Sequence, residues 1–141
     1  MARKTKTKAV MLKPRLRALC GGETVLGPGR VDLLELIAET GSLRAAASEM
    51  GMSYMRAWKI AKSVNKWFHP KLIEFARGGA EGGGAKLTAA GREVVRLYRR
   101  MERQTERSVA GSWKRLRHLL NGAGSTTTSR RVSLTRGLLL K

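Results

Sequence analysis

The sequence of 141 residues contains a single cysteine, Cys20, so no intramolecular disulfide framework is possible, and this cysteine usage fits a reducing compartment. No apolar run approaches the length of about 18 residues that a membrane span needs. The N-terminal residues are charged and no apolar segment follows them, so we expect no secretory signal. These absences predict a cytoplasmic chain without a membrane partner.

Acidic residues are also scarce. Ten Asp and Glu stand against 29 Lys and Arg, which gives a formal net charge of +19. Residues 1–20 and 111–141 each contain seven cations and no acid, whereas residues 21–41 contain four acids and one arginine. Polyanions are the expected partners of such a surface, and the alternation predicts one element that faces the polyanion and another that faces away. For the two terminal segments alone, soluble charged tails are an equally good interpretation.

The sequence shows no pattern of residues for metal binding or catalysis. His69 and His118 lie far apart, and with one cysteine they do not make a zinc ligand set. No spacing of Ser, His and acidic residues marks a nucleophile. The glycine-rich segment 78–84 is not a Walker A loop, because Gly84 is followed by Ala85 and Lys86 instead of directly by Lys and Ser or Thr. We therefore expect no enzyme activity, no cofactor and no metal.

Local signals predict a mainly α chain with small β-hairpins. Gly21-Gly22 is a tight-turn signal, Ser42 and Ser53 are good helix N-caps, and Pro70 stops a helix. The predicted order is a hairpin at 15–26, helices at 30–40, 43–50 and 54–67, a hairpin at 72–76 and 85–87, and a long helix after Thr88, which the stretch past Gly111 can continue. Around these elements the sequence predicts a flexible basic arm at 1–12, one domain at 13–110, and a basic extension at 111–141 that is largely disordered after residue 121.

Residues 42–66 have the pattern of a helix-turn-helix. Ala47 allows close approach of two helices, and Gly51 stands where the turn needs a positive φ. At 100° per residue the second helix has an apolar side and an opposite, cationic side, while Trp58 and Trp67 are assigned to packing. An ordinary amphipathic helix pair fits the Ala and Gly spacing as well, but the glycine-rich basic hairpin that follows, as a wing would, favours DNA binding.

The predicted DNA contacts lie on the second helix and on the wing. Arg56 is the best candidate for bidentate reading of guanine, because it lies near the helix N-terminus, the part that usually reaches base edges. The glycines of the wing let its tip approach a phosphate backbone closely. The predicted DNA-binding residues are Arg44, Ser53, Tyr54, Met55, Arg56, Lys59, Lys62, Lys66, Arg77, Gly82, Gly83 and Lys86.

Several motifs together resemble the N-terminal domain of the ModE family of molybdate-responsive regulators. They are Gly27-Pro28-Gly29-Arg30, Ile37–Ser42, Ala45–Ala47, Gly51–Tyr54, Ala57-Trp58, and Gly78–Thr88 with Gly91. The resemblance covers residues 12–105. It implies a winged helix-turn-helix related to that of LysR-type regulators, with Ser53, Tyr54 and Arg56 at the DNA end of the recognition helix.

The resemblance also implies a homodimer that binds operator DNA. The first and last helices would build the dimer, through Leu33, Ile37, Val94, Tyr98 and Met101. Full-length members of the family carry molybdate-binding domains after this one, whereas residues 111–141 are too short for such a domain, so we expect no molybdate sensor here. The chain is interpreted as a nucleoid-associated transcription regulator of a prokaryote. The alternative is a non-specific architectural or RNA-associated basic protein whose tails dominate binding.

Overall fold

The computed structural model describes residues 8–77 and 84–120. Residues Pro14–Glu106 form one compact unit, and the described residues 8–13 and 107–120 belong to a second. Four helices and two antiparallel hairpins make up the described chain. The wing glycines Gly82 and Gly83 and the predicted disorder after residue 121 lie outside the described residues.

The first hairpin and the first helix form where the local signals predict them. Strand β1 (Ala18–Cys20) pairs with β2 (Glu23–Leu26), and both turn glycines adopt positive φ, 56° at Gly21 and 84° at Gly22. Helix α1 (Pro28–Thr40) begins two residues earlier than predicted, with Pro28 in its first turn, where a missing N–H costs nothing. It ends at Gly41, whose N–H donates to the carbonyl of Ile37 at 2.9 Å.

Two serines fix the start of the next two helices. The Ser42 hydroxyl accepts from the Ala45 N–H and begins α2 (Leu43–Glu49), and the Ser53 hydroxyl accepts from the Arg56 N–H and begins α3 (Tyr54–Trp67). Between them Gly51 has φ of +67°, as predicted. The turn of the helix-turn-helix is therefore set by residues that are local in sequence.

The second hairpin leads into the last helix. Strand β3 (Ile73–Phe75) pairs with β4 (Ala85–Leu87), and α4 (Ala89–His118) follows and continues through Gly111 without a break. The Thr88 hydroxyl accepts from the Gly91 N–H and donates to the Lys71 carbonyl at 2.7 Å, which ties the start of α4 to the chain before β3.

The core of the compact unit lies between α1, α2, α3 and the second hairpin. Helix α1 packs against α2, α3 and β4. Alanines at the contacts of α2 and α3 keep these helices close, and larger side chains from α1 and the hairpin fill the interior. The core residues are Leu33, Leu34, Ile37, Leu43, Ala46, Ala47, Ala57, Ala61, Val64, Leu72, Ile73, Ala85 and Leu87.

Candidate nucleic-acid interface

Helix α3 has one buried side and one exposed side. Ala57, Ala61 and Val64 are completely buried, because they face the core. The opposite side is exposed along the whole helix, and the predicted separation of an apolar and a cationic side is confirmed. Its exposed residues with predicted DNA contacts are Met55, Arg56, Lys59, Lys62 and Lys66.

The N-terminal end of α3 combines a capped backbone with a cationic side chain. The Ser53 hydroxyl lies 3.1 Å from the Arg56 N–H and is committed to the cap, so its first role is to begin the helix. The Arg56 side chain is exposed and makes no hydrogen bond or ion pair within residues 8–77 and 84–120. Its guanidinium is therefore available for an external acceptor, whereas the Ser53 oxygen is shared with the backbone.

Two cations lie over exposed aromatic rings on this surface. The Arg44 guanidinium of α2 stacks 4.7 Å from the centre of the Tyr54 ring, and the Lys62 ammonium lies 4.3 Å from the Trp58 ring. Each ring thereby holds its cation at the surface of α3, and within the described residues neither cation pairs with an acid. Trp58 differs from the packing role predicted for it, since 38% of the residue is exposed. Trp67 is half-buried, as a packing residue should be.

The base of the wing is anchored to the end of α1. The Ala85 N–H donates to the Gly41 carbonyl at 2.9 Å, and a Cβ on Gly84 would lie only 3.2 Å from the same oxygen. Lys86 pairs with Glu74 of the opposite strand at 3.6 Å, with both side chains mostly exposed. Glu74 was not among the predicted interface residues, and its carboxylate reduces the positive charge at the wing base. Arg77 is exposed and is the last described residue before the tip.

Asn65, which was not among the predicted site residues, positions the base of the wing relative to α3. Its side-chain oxygen accepts from the N–H groups of Leu72 and Ile73, and its amide donates to the Ile73 carbonyl, all at 3.0 Å. The available signal was an Asn two residues before the end of a helix that is mostly apolar and cationic, eight residues before a strand. On the same helix Ser63 accepts a hydrogen bond from Arg30 of α1 at 2.9 Å.

Two of the three acids of α1 are held by one arginine of α4. Arg99 contacts Asp32 at 2.6 Å, Glu35 at 2.8 Å and Glu102 at 2.7 Å. The hydrogen bond from Arg99 lowers the pKa of Glu35, and the carboxylates in turn raise the pKa of Arg99. Two carboxylates of the acidic segment are therefore neutralised within the fold. As a result they offset less of the positive charge of α3.

Burial divides the residues predicted to form a dimer contact. Leu33 and Ile37 lie in the chain's own core, and Tyr98 is buried with its hydroxyl donating to the Leu16 carbonyl at 2.8 Å. These three side chains leave almost no surface for a second copy, because the fold of the single chain already covers them. Val94 is half-buried against the core, and Met101 is half exposed. Of the five residues predicted to contact a second copy, only Val94 and Met101 keep side-chain surface that a second copy could reach.

Within the described residues no group of His, Cys, Asp and Glu is arranged to hold a metal ion. A cavity of about 450 Å³ beside α1 is lined by Asp32, Glu35, Leu36, Glu39 and Met50. Asp32 and Glu35 are paired with Arg99, and Glu39 adds a further carboxylate, so the lining of this cavity is not complementary to an oxyanion such as molybdate. The helices of the described ranges include none with the length and apolar character of a membrane span.

Comparison with known proteins agrees with this architecture, although no family model matches the chain. The chain is 35% identical over 109 residues to the molybdenum-pterin-binding protein MopB of Rhodobacter capsulatus, a match that covers 74% of this chain and 40% of MopB. It is 41% identical over 71 residues to the DNA-binding transcriptional dual regulator ModE of Escherichia coli K12, covering 50% of this chain and 27% of ModE. The predicted resemblance to the ModE family is confirmed, while the matched regions span at most 40% of these relatives.

Among solved structures, the chain is similar to the DNA-binding domain of CbnR, determined as a complex with DNA. The TM-score is 0.50 with 25% sequence identity, and the match covers 63% of this chain and 97% of the CbnR domain. The winged helix-turn-helix fold predicted from the sequence is confirmed by this similarity and by the arrangement of α2, α3 and the second hairpin.

Proposed function

We propose that this chain is a sequence-specific transcription regulator that binds double-stranded DNA, with α3 in the major groove and the second hairpin as a wing against the adjacent backbone. The observation that carries the proposal is the exposed side of α3, where Arg56, Lys59, Lys62 and Lys66 line a helix that its buried alanines hold firmly on the core. A DNA-binding regulator and a DNA complex among the similar proteins support the same function.

The residues of this surface divide into two roles. Arg56 reads a base edge, because it lies in the first turn of α3 and its guanidinium has the fork geometry that matches guanine. The lysines further along the helix, together with Arg44, contact phosphates, which positions the helix without reading sequence. Arg77 and Lys86 add phosphate contacts at the wing, with the contribution of Lys86 reduced by Glu74.

We further propose that the chain acts as a homodimer in the cytoplasm. The apolar surface of α4 around Met101 contacts a second copy, and two-fold symmetry then requires a pseudo-palindromic site. Its half-sites lie one helical turn apart, about 34 Å, or a multiple of that distance. No cofactor and no molybdate site are part of this proposal.

In vitro selection on genomic DNA tests the proposal. Purified protein is mixed with sheared DNA at about 0.2 M salt, where purely electrostatic binding is weak, and the retained fragments are sequenced. We expect an enriched inverted repeat that footprinting shows to be protected symmetrically. Uniform recovery of all fragments by a folded protein would contradict the proposal and favour a non-specific architectural role.

A further inference from the structure

Three large apolar side chains are exposed in the first turns of α3. The exposed fraction is 41% for Tyr54, 58% for Met55 and 38% for Trp58. Residues three and four apart on a helix are neighbours, so both Tyr54 and Met55 lie beside Trp58. We call these three residues the apolar strip. The core does not account for the strip, because the buried side of α3 consists of other residues.

Cations lie against the members of the apolar strip. Arg44 lies over the Tyr54 ring and Lys62 over the Trp58 ring, while Lys59 follows Met55 by one helical turn. An apolar centre bordered by cations is complementary to a ligand with apolar groups between rows of anions. The major groove of DNA has this composition wherever it contains thymine, because phosphates line its edges and the thymine C5-methyl is the apolar group on the base edges.

We infer that the apolar strip recognises thymine methyl groups and that Met55 is the specificity-determining residue of this contact. This inference rests on the proposed function, since it requires α3 to enter the major groove. Met55 is the most exposed member of the strip, and its flexible thioether adapts readily to an apolar surface. The rings of Tyr54 and Trp58 each already carry a cation, so they border the contact and hold Arg44 and Lys62 at its edges.

Replacing thymine by deoxyuridine tests the inference directly, because it removes the methyl group and keeps every hydrogen-bonding group of the base. In the duplex selected from genomic DNA, each thymine is replaced in turn and the dissociation constant is measured. For the native chain we expect a loss of about fourfold at one or more thymines of each half-site, the effect of burying one methyl-sized group. For Met55→Ala, the dissociation constant of the deoxyuridine duplex divided by that of the thymine duplex should fall to about one. The control Met11→Ala removes another exposed methionine and should keep the native ratio.

The possible failures are distinguishable. If the native chain binds its selected site and every deoxyuridine duplex binds equally well, or if the half-sites contain no thymine, the inference is overturned and the proposed function stands. If the fourfold loss persists in Met55→Ala, the methyl acts through another group and the inference is also overturned. If a folded protein selects no site at all, the proposed function fails and the inference fails with it. Thermal unfolding of both variants is the control for the fold, and we expect each to unfold at the same temperature as the native chain.

Discussion

Arg56 and Lys62 both lie on the exposed side of α3, but we expect them to act differently on DNA. Arg56 lies in the first turn, where a bidentate contact to guanine contributes roughly 1–3 kcal/mol of discrimination. Lys62 is held over the Trp58 ring and is placed to contact a phosphate, which carries no sequence information. Arg56→Ala should therefore relax base preference, whereas Lys62→Ala should weaken binding to all duplexes alike and lower the salt slope by about one.

Binding of both variants to the selected duplex and to a scrambled duplex, measured over a range of salt concentrations, separates these effects. Lys114→Ala is a suitable control, because it removes an exposed cation of α4 that is not among the predicted contacts. If Arg56→Ala and Lys62→Ala reduced binding to both duplexes by the same factor, the assignment of the two roles would be wrong.

Gly91 shows how one residue can set the distance between two elements. A Cβ at this position would lie 2.3 Å from the Leu72 carbonyl oxygen and 3.3 Å from the Leu87 side chain. The first atom belongs to the backbone and cannot rotate away, so α4 would have to move from the hairpin. We expect Gly91→Ala to lower the free energy of unfolding by about 1–3 kcal/mol, the usual cost of overpacking, in a chemical denaturation experiment.

The same substitution at Gly111 is a matched control within α4. A Cβ there meets no atom within 4 Å, and alanine is the better helix former. Gly111→Ala should therefore leave the stability unchanged or raise it by roughly 0.5–1 kcal/mol. A Gly91→Ala variant as stable as the Gly111→Ala variant would show that α4 does not pack closely on Leu72.

At the scale of the element, the parts of the fold that depend on neighbouring residues are predictable. Gly21-Gly22, Ser42, Gly51 and Ser53 each act within a few residues, through a positive φ or a hydrogen bond to the next turn, so the turns and helix starts follow from the sequence. The division of α3 into two sides follows from its 3.6-residue period. Local signals predict the ends of elements less accurately. Helix α1, for example, begins at Pro28 rather than at Arg30.

The contacts between elements could not be predicted in the same way. The three hydrogen bonds of Asn65 require β3 to lie beside the end of α3, and Arg99 meets Asp32 and Glu35 across more than 60 residues of chain. The predicted dimer residues show the same limit. A resemblance assigns a role to a helix, whereas only packing shows that Leu33 and Ile37 lie on its inner side.

The Arg99 cluster joins α1 to α4 and should make stability depend on pH. Its hydrogen bond lowers the pKa of Glu35, so the bond stabilises the fold above the ordinary pKa of a glutamate and is lost as the pH falls through the lowered value. Arg99→Gln removes the charge and should cost about 1–2 kcal/mol at pH 7, less than a fully buried charged hydrogen bond because the carboxylates are partly exposed. In denaturation curves recorded at a series of pH values, the difference in unfolding free energy from the native chain should shrink as the pH falls through the lowered pKa of Glu35.

Arg96→Gln is the matched control, because it removes an arginine that pairs with a glutamate within a single helix. Arg96 bonds to Glu93 within α4, and both groups are exposed, so this pair joins no two elements. Its substitution should change stability little at any pH. A pH profile of Arg99→Gln parallel to that of the native chain would contradict the assigned role of Glu35.

At the scale of the whole molecule, the positive charge has two sources with different consequences. Part of it lies on α3 and the wing, and part lies in the terminal segments of the sequence. Deleting residues 1–9 and 122–141 removes eight of the 29 Lys and Arg residues and none of the ten acids, which lowers the net charge from +19 to +11. If the residues of α3 determine which DNA sequence is bound, the shortened chain should keep its preference for the selected duplex over a scrambled one.

The shortened chain should nevertheless bind every duplex more weakly at low salt, because each lost phosphate contact lowers the salt slope by about 0.9. A full-length control separates charge from length by replacing the same eight cations with glutamine. These are Arg3, Lys4, Lys6, Lys8, Arg130, Arg131, Arg136 and Lys141. We expect this variant to match the shortened chain in both affinity and salt slope, since counterion release depends on charge. Loss of the preference in both proteins would place recognition in the terminal segments, contradict the role proposed for α3 and leave the helix-turn-helix a structural role.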